Sequence, residues 1–255
     1  MNPYTPDYFD SISPGSDRSA EVIVPMVVDL VRPRSVIDVG CGTGAWLAEF
    51  ARVGGGAGGR IKRVVGVDGA YVERGQLRID AADFRAADLC RPLRESLGTE
   101  PGGGFDLVVS LEVAEHLPPE RSEGFVEDLT SLGEVVLFSA AIPYQGGEGH
   151  INERWPTFWY ELFRARGYEV IDAIRKRVWS DRRVEPWYQQ NVLIYATPGA
   201  IQARPKLARE YAETCPGFLS MVHPRLYGPL VERAGLKPPG PWTPARVPAP
   251  ARAIA

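Results

Sequence analysis

The stretch Val36-Ile37-Asp38-Val39-Gly40-Cys41-Gly42-Thr43-Gly44 decides the fold of this chain. Its first four residues have the apolar character of a buried strand, and three glycines then alternate with other residues in a turn. Glycine tolerates positive φ and lets main-chain N–H groups approach a bound small molecule, and Ala45 to Phe50 behind the turn predicts a helix. The pattern is neither the dinucleotide fingerprint nor the phosphate loop. It predicts a strand, a turn that contacts a ligand, and a helix.

Three further apolar segments follow, each separated from the last by about one βα unit. They are Val64 to Asp68, Phe84 to Leu89 and Phe105 to Glu112, and each contains or ends in an acidic residue. In this order the four segments resemble the successive motifs of class I S-adenosylmethionine-dependent methyltransferases. The resemblance implies a Rossmann-like α/β fold with helices on both faces of a seven-stranded, mostly parallel sheet. It also implies the strand order 3-2-1-4-5-7-6, with the last strand antiparallel.

The same resemblance implies S-adenosylmethionine as cofactor and assigns residues to its parts. The glycine turn would lie under the methionine part, Asp68 would accept hydrogen bonds from the ribose hydroxyls, and Asp88 would bind the adenine amino group. An acid at the end of an apolar strand could also cap a helix or close a turn, so the order of the motifs carries the assignment. The predicted cofactor contacts are Asp38, Gly40, Gly42, Gly44, Asp68, Asp88, Leu89 and Leu111.

Composition suits one α/β domain with additions, because 44% of the 255 residues are hydrophobic and 24% are charged. We expect an N-terminal helix and possible lid over residues 1–34, in which Ala20 to Val31 has apolar residues at helical spacing. The methyltransferase core would cover residues 35–197. Residues 198–255 would form a C-terminal extension, proline-rich and extended or disordered over its last fifteen or so residues.

Two carboxylates and an imidazole, Glu112, Glu115 and His116, directly follow the fourth predicted strand, where an open α/β sheet binds its ligands. In one interpretation His116 or His150 is a general base, with Glu112 beside it. In the other, Glu-x-x-Glu-His with a later His resembles the metal motif of Hen-type small-RNA 2′-O-methyltransferases; ubiquinone-pathway O-methyltransferases share its first part. The implied metal ligands are Glu112, Glu115, His116 and His150, for magnesium, manganese, iron or zinc. The sequence leaves both interpretations open.

The leading hypothesis is methyl transfer to a hydroxyl of a small polyhydroxylated molecule: a sugar, sugar-nucleotide, nucleoside or natural-product intermediate. The alternatives are N-methylation of an aminosugar or other small amine, 2′-O-methylation of an RNA 3′ end, and S-adenosylmethionine binding without catalysis. A net charge of −3 argues against a nucleic-acid partner, and the basic run Arg175 to Arg177 predicts a solvated surface.

Cysteine usage and hydropathy predict the compartment. The three cysteines have no metal-ligand spacing, and no apolar run is long enough to cross a membrane. We therefore expect a cytoplasmic protein with a small-molecule substrate and no membrane partner. The oligomeric state stays open.

Overall fold

The computed structural model describes residues 6–55, 59–97 and 104–236, with side chains described from residue 14 onward. The predicted extended or disordered C-terminal end lies outside these residues. Within the described part of the chain, no helix is long and apolar enough to cross a membrane.

The core is one seven-stranded sheet with the order β3-β2-β1-β4-β5-β7-β6, which confirms the predicted topology. Neighbouring strands run parallel from β3 to β5, and β7 lies antiparallel to both β5 and β6. The parallel strands β1, β2, β4 and β5 are largely buried on both faces and therefore read as continuous apolar runs, whereas two of the three residues of the edge strand β3 are exposed. The strands are β1 Ser35–Val39, β2 Arg63–Asp68, β3 Phe84–Ala86, β4 Leu107–Leu111, β5 Val135–Ser139, β6 Glu169–Ile171 and β7 Leu193–Ala196.

Helices cover both faces of the sheet, as predicted, and two hydrophobic clusters fill the space between them and the strands. One cluster includes Ile23, Leu47 and Tyr188, and the other includes Phe125 and Trp159 on the opposite face. The helices are α1 Pro6–Val31, α2 Ala45–Gly54, α3 Arg94–Leu97, α4 Ser122–Leu132, α5 Pro156–Arg164, α6 Arg175–Val178, α7 Pro186–Asn191, α8 Pro198–Gln202, α9 Pro205–Glu213 and α10 Pro224–Arg233.

Helix α1 begins well before Ala20, where the apolar spacing places its start. Polar contacts hold the earlier turns against the region of α7: the Ser19 hydroxyl accepts a hydrogen bond from the Glu185 N–H, and the hydroxyls of Ser16 and Tyr188 lie 3.2 Å apart. Contacts of this kind leave no hydrophobic periodicity in the sequence. The lid remains a prediction, because the side chains of Tyr8 and Phe9 lie outside the described part of the chain.

Within the basic run, Lys176 and Arg177 are exposed, as its composition predicts, but Arg175 is completely buried. Its guanidinium pairs with Asp172 and donates hydrogen bonds to the carbonyls of Gln190 and Leu219. Lys176 and Arg177 pair with Glu210 of α9 and reinforce the same contact. The run therefore fastens the C-terminal extension to the sheet.

Candidate active site

A cleft of about 450 Å³ opens at the carboxyl ends of the parallel strands. Six of the eight predicted cofactor contacts line it, namely Gly40, Gly42, Asp68, Asp88, Leu89 and Leu111. The other two, Asp38 and Gly44, lie on β1 and at the start of α2. The structure therefore gathers the predicted cofactor residues at one end of one cleft.

The glycine turn adopts a backbone that requires glycine. Gly40, Gly42 and Gly44 have φ values of 85°, 52° and 86°. A Cβ on Gly40 would lie 2.3 Å from the Val113 side chain. The turn therefore packs against the segment that follows β4, which carries the acidic and histidine residues, and its main chain faces the cleft.

Asp68 at the end of β2 is buried and accepts three hydrogen bonds. The Gly42 N–H donates to one carboxylate oxygen at 2.7 Å, while the Gly69 N–H at 2.6 Å and the Tyr71 hydroxyl at 2.5 Å donate to the other. Burial raises the pKa of Asp68, and these hydrogen bonds oppose the rise. The carboxylate is held in a fixed orientation at the cleft wall. Nothing in the sequence pattern singles out Tyr71.

The other two acids of the cofactor end have contrasting environments. Burial, helped by the neighbouring Asp68 charge, raises the pKa of Asp38 to about 8. The Asp88 side chain is 61% exposed, and one of its oxygens accepts a hydrogen bond from the Cys90 N–H at 3.0 Å. Asp88 thus shapes a turn, as an acid in a loop often does, and also lines the cleft.

At the other end of the cleft, Glu115, His116 and His150 each offer one ligand atom, and these atoms lie within 4.8 Å of one another. The two imidazole rings meet edge to face with centroids 4.8 Å apart. The two segments follow strands β4 and β5. The Ile151 and Asn152 N–H groups hold them together, because both donate to the Glu115 carbonyl. The structure therefore brings three of the four predicted metal ligands together.

The chemistry of this group fits a divalent cation. Glu115 is completely buried, and neither carboxylate oxygen makes a hydrogen bond of ordinary geometry with a described residue. Burial and the neighbouring Glu112 charge raise the pKa of Glu115 well above its usual range, and burial with the nearby His150 lowers the pKa of His116 to about 4. A neutral imidazole keeps a lone pair for a metal, and a cation would compensate a buried carboxylate.

Glu112, the fourth predicted ligand, falls outside this group. Its side chain accepts hydrogen bonds from the Gln145 amide at 3.0 Å and the Asn191 amide at 3.1 Å. Its φ of 54° is rare for a non-glycine residue, and its N–H donates to the Ser139 carbonyl and hydroxyl. Asn191 is the last residue of helix α7. The two amides direct the Glu112 carboxylate into the cleft beside the three-residue group.

Glu153 is a site residue that the sequence does not reveal. Its carboxylate lies 3.0 Å from His150 Nδ1 and accepts hydrogen bonds from the Tyr144 and Gly146 N–H groups. A Cβ on Gly147 would lie 2.2 Å from His150 Nε2, so this loop fits closely around the imidazole. Only a carboxylate three residues after a histidine in a glycine-rich loop hints at this arrangement.

The lining of the cleft carries carboxylates but no cationic side chain among the described residues. Glu112 and Glu148 line the acceptor end, together with the aromatic rings of Trp187 and Tyr188. Trp155 is 40% exposed and is not among the lining residues. The electrostatic field in the cleft therefore favours neutral or cationic ligands over anionic ones.

A family model described as a methyltransferase domain matches residues 18–173. No curated protein matches the chain. Among solved structures, the chain is similar to magnesium protoporphyrin IX methyltransferase from Synechocystis with bound S-adenosylmethionine, at 18% identity and a TM-score of 0.50. That match covers 72% of this chain and 80% of the Synechocystis chain.

Two further solved structures share the fold. An O-methyltransferase family protein from Burkholderia thailandensis has 15% identity and a TM-score of 0.51, covering 74% of this chain and 59% of its own. The methyltransferase domain of a bacterial Hen1 has 18% identity and a TM-score of 0.50, covering 71% of this chain and 98% of its own. Identities this low establish a common fold and leave the acceptor substrate undefined.

Proposed function

Since the chain belongs to the class I S-adenosylmethionine-dependent methyltransferases, we propose that it methylates a hydroxyl of a small polyhydroxylated molecule with the help of a divalent cation. The observation that carries the proposal is the completely buried Glu115 carboxylate beside two histidines. A metal-free hydroxyl methyltransferase needs one base and gains nothing from such a carboxylate. Burying it in its ionised form without a cation is costly, and a cation held by the two histidines would keep it ionised.

Glu115, His116 and His150 would hold the cation, and Glu153 would orient His150 through Nδ1. A bound cation lowers the pKa of a hydroxyl that coordinates it. Glu112 lies within the cleft beside this group and can accept a hydrogen bond from a second hydroxyl of the acceptor. A molecule with neighbouring hydroxyls satisfies both sites, which is why we favour a polyhydroxylated acceptor.

The charge of the cleft also limits the class of acceptor molecule that we propose. Apart from the proposed cation, a phosphate in the cleft would meet Glu112 and Glu148 and no lysine or arginine among the described lining residues. We therefore favour a sugar, nucleoside or natural-product intermediate over any acceptor whose phosphates must enter the cleft. The same charge supports a small molecule rather than RNA as partner, because RNA binding relies on phosphate contacts.

N-methylation of an aminosugar or other small amine is the second candidate. Glu112 is held by two neutral amides, so its charge has no cationic partner among its hydrogen-bond donors. An ammonium group of the acceptor could supply that charge, and a neutral His150 could accept its proton. This route requires no cation, so metal dependence separates the two candidates.

The test is methyl transfer from labelled S-adenosylmethionine to panels of neutral sugars, nucleosides and their amino derivatives, with Mn²⁺, Mg²⁺ or EDTA. We expect transfer to a hydroxyl that EDTA abolishes while S-adenosylhomocysteine binding persists. Arg164→Lys, in an exposed ion pair on α5, is the matched control and should behave like wild type. Transfer to an amine that is indifferent to EDTA would replace the first candidate by the second.

A further inference from the structure

We infer that Arg121 is a positioning residue for the cofactor, because it clamps the loop that forms the adenine side of the cleft. This loop runs from Ala87 to Leu93, between β3 and α3, and residues 87–90 line the cleft. The inference rests on the adenine end of the cofactor lying at this loop. It concerns a residue for which the sequence motifs assign no role.

The contacts of Arg121 reach the loop from a distant part of the chain. Its Nε donates to the Leu89 carbonyl at 3.1 Å and its Nη2 donates to the Arg91 carbonyl at 2.9 Å. The same Nη2 pairs with Asp128 of α4. Asp128 in turn accepts a hydrogen bond from the Leu93 N–H at 3.1 Å. Arg121 and Asp128 together therefore hold the loop at Leu89, Arg91 and Leu93.

The burial of the pair makes the clamp rigid. The Arg121 side chain is 9% exposed and that of Asp128 is 10% exposed, so solvent screens their interaction little. The other hydrogen bonds described for the loop are mostly local, such as those that the Arg91 and Cys90 N–H groups make with Asp88. Without the guanidinium, the loop would keep the Leu93 contact with Asp128 but lose its attachment at Leu89 and Arg91.

Gly124 supplies independent evidence that space is reserved for the guanidinium. A Cβ at this position would lie 2.5 Å from Arg121 Nη1. Alanine favours helix over glycine, so glycine within α4 weakens the helix. The Arg121 guanidinium occupies the space that the missing side chain of Gly124 leaves open. The fork of an arginine can donate to two carbonyls and a carboxylate at once, whereas a lysine cannot match that geometry.

The experiment is calorimetric titration of wild type, Arg121→Lys and Gly124→Ala with S-adenosylhomocysteine and with 5′-methylthioadenosine, which lacks the amino-acid end. No acceptor or metal is added, so the result does not depend on the proposed reaction. We expect Arg121→Lys to weaken both ligands by the same factor, on the order of three- to tenfold. Gly124→Ala should act in the same direction while its helix gains stability, and Arg164→Lys is the surface control.

Two outcomes would overturn the inference. One is unchanged affinity for S-adenosylhomocysteine in both folded variants. The other is a loss confined to S-adenosylhomocysteine with 5′-methylthioadenosine unaffected, which would place the effect at the amino-acid end of the cofactor. If Arg121→Lys fails to fold, Gly124→Ala decides alone, because it displaces the guanidinium without removing its charge.

Discussion

At the cofactor end of the cleft the Asp68 carboxylate accepts three hydrogen bonds, whereas at the acceptor end the Glu115 carboxylate is completely buried and makes no hydrogen bond of ordinary geometry with a described residue. The first carboxylate is held in a fixed orientation by its three donors. The second lies beside Glu112 and two histidines, and burial raises its pKa, so either a proton or a nearby cation must offset its burial. The comparison contrasts a carboxylate that the protein itself satisfies with one that, in our proposal, a cation completes.

The largest expected effect is at the acceptor end. Alanine substitution of Glu115, His116 or His150 should abolish detectable metal binding and reduce turnover by about 10²–10⁴-fold, a range typical for the loss of a group that handles a proton. S-adenosylhomocysteine affinity should stay within about twofold, since Asp68 and the glycine turn are untouched. Metal titration and single-turnover assays measure both. Full metal affinity in any of the three variants would remove that residue from the ligand set.

A steric substitution beside His150 tests the proposed metal site without removing a ligand. Gly147→Ala places a methyl group 2.2 Å from His150 Nε2, so the imidazole must move. We expect metal affinity to fall by about 10–100-fold, as for loss of an orienting contact. Gly146→Ser would not be a suitable control, because Gly146 has a φ of 73° and a side chain there would strain the backbone. Gly199→Ala is a better control, because a Cβ there meets no atom within 4 Å.

At the cofactor end, Asp68→Ala should weaken S-adenosylmethionine binding on the order of tenfold or more, because a carboxylate paired with ribose hydroxyls makes charge-assisted hydrogen bonds. Metal affinity should be retained. Calorimetry with the folded variant measures both. Unchanged cofactor affinity would take Asp68 out of the ribose role.

The burial of Asp38 at the cofactor end should also make the free energy of unfolding depend on pH. Asp38 has its pKa raised from 3.8 to about 8 in the fold, so the folded cofactor-free protein retains a proton that the unfolded chain loses. Stability from this group is present below pH 4 and is lost as pH rises towards 8, by up to about 1.4 kcal/mol per pH unit. Asp38→Asn should therefore show a smaller fall of the unfolding free energy over this range in urea titrations. Identical slopes would rule out a protonated Asp38.

The smallest expected effect concerns RNA. The acid-lined cleft predicts no salt-sensitive binding of short RNA duplexes in filter assays at moderate salt. Tight binding, accompanied by methyl transfer to a 3′-terminal ribose, would overturn the small-molecule proposal and favour the RNA alternative.

The two ends of the cleft also differ in how far the sequence predicts them. The glycine turn and Asp68 are recognised from local motifs, because each motif is a strand with its own turn, and the sheet order is what the resemblance carried by those motifs implies. The acceptor end depends on contacts between distant segments, such as Asn191 with Glu112. Residue spacing does not reveal such contacts. The sequence therefore indicates the Glu-x-x-Glu-His cluster but not which of its acids the amides of Gln145 and Asn191 hold.

Helical packing shows the same limit. The apolar spacing after Ala20 predicts the half of α1 that packs on the sheet, but not the earlier turns, which Ser16 and Ser19 attach through hydroxyl contacts. Arg175 shows the same limit, because the sequence of a basic run does not reveal that its buried guanidinium donates to distant backbone carbonyls. Hydrophobic periodicity reports burial of apolar faces, and polar tertiary contacts have no comparable signature.

The most direct test of the central claim is a calorimetric Mn²⁺ titration of wild type, Glu115→Gln and Glu112→Gln, with S-adenosylhomocysteine present. The two variants make the same chemical change within one short segment, one at the completely buried Glu115 carboxylate and one at the carboxylate that Gln145 and Asn191 hold. We predict one high-affinity Mn²⁺ site in wild type, its loss in Glu115→Gln, and a much smaller weakening in Glu112→Gln. Absence of a site in wild type, or equal losses in both variants, would contradict the account.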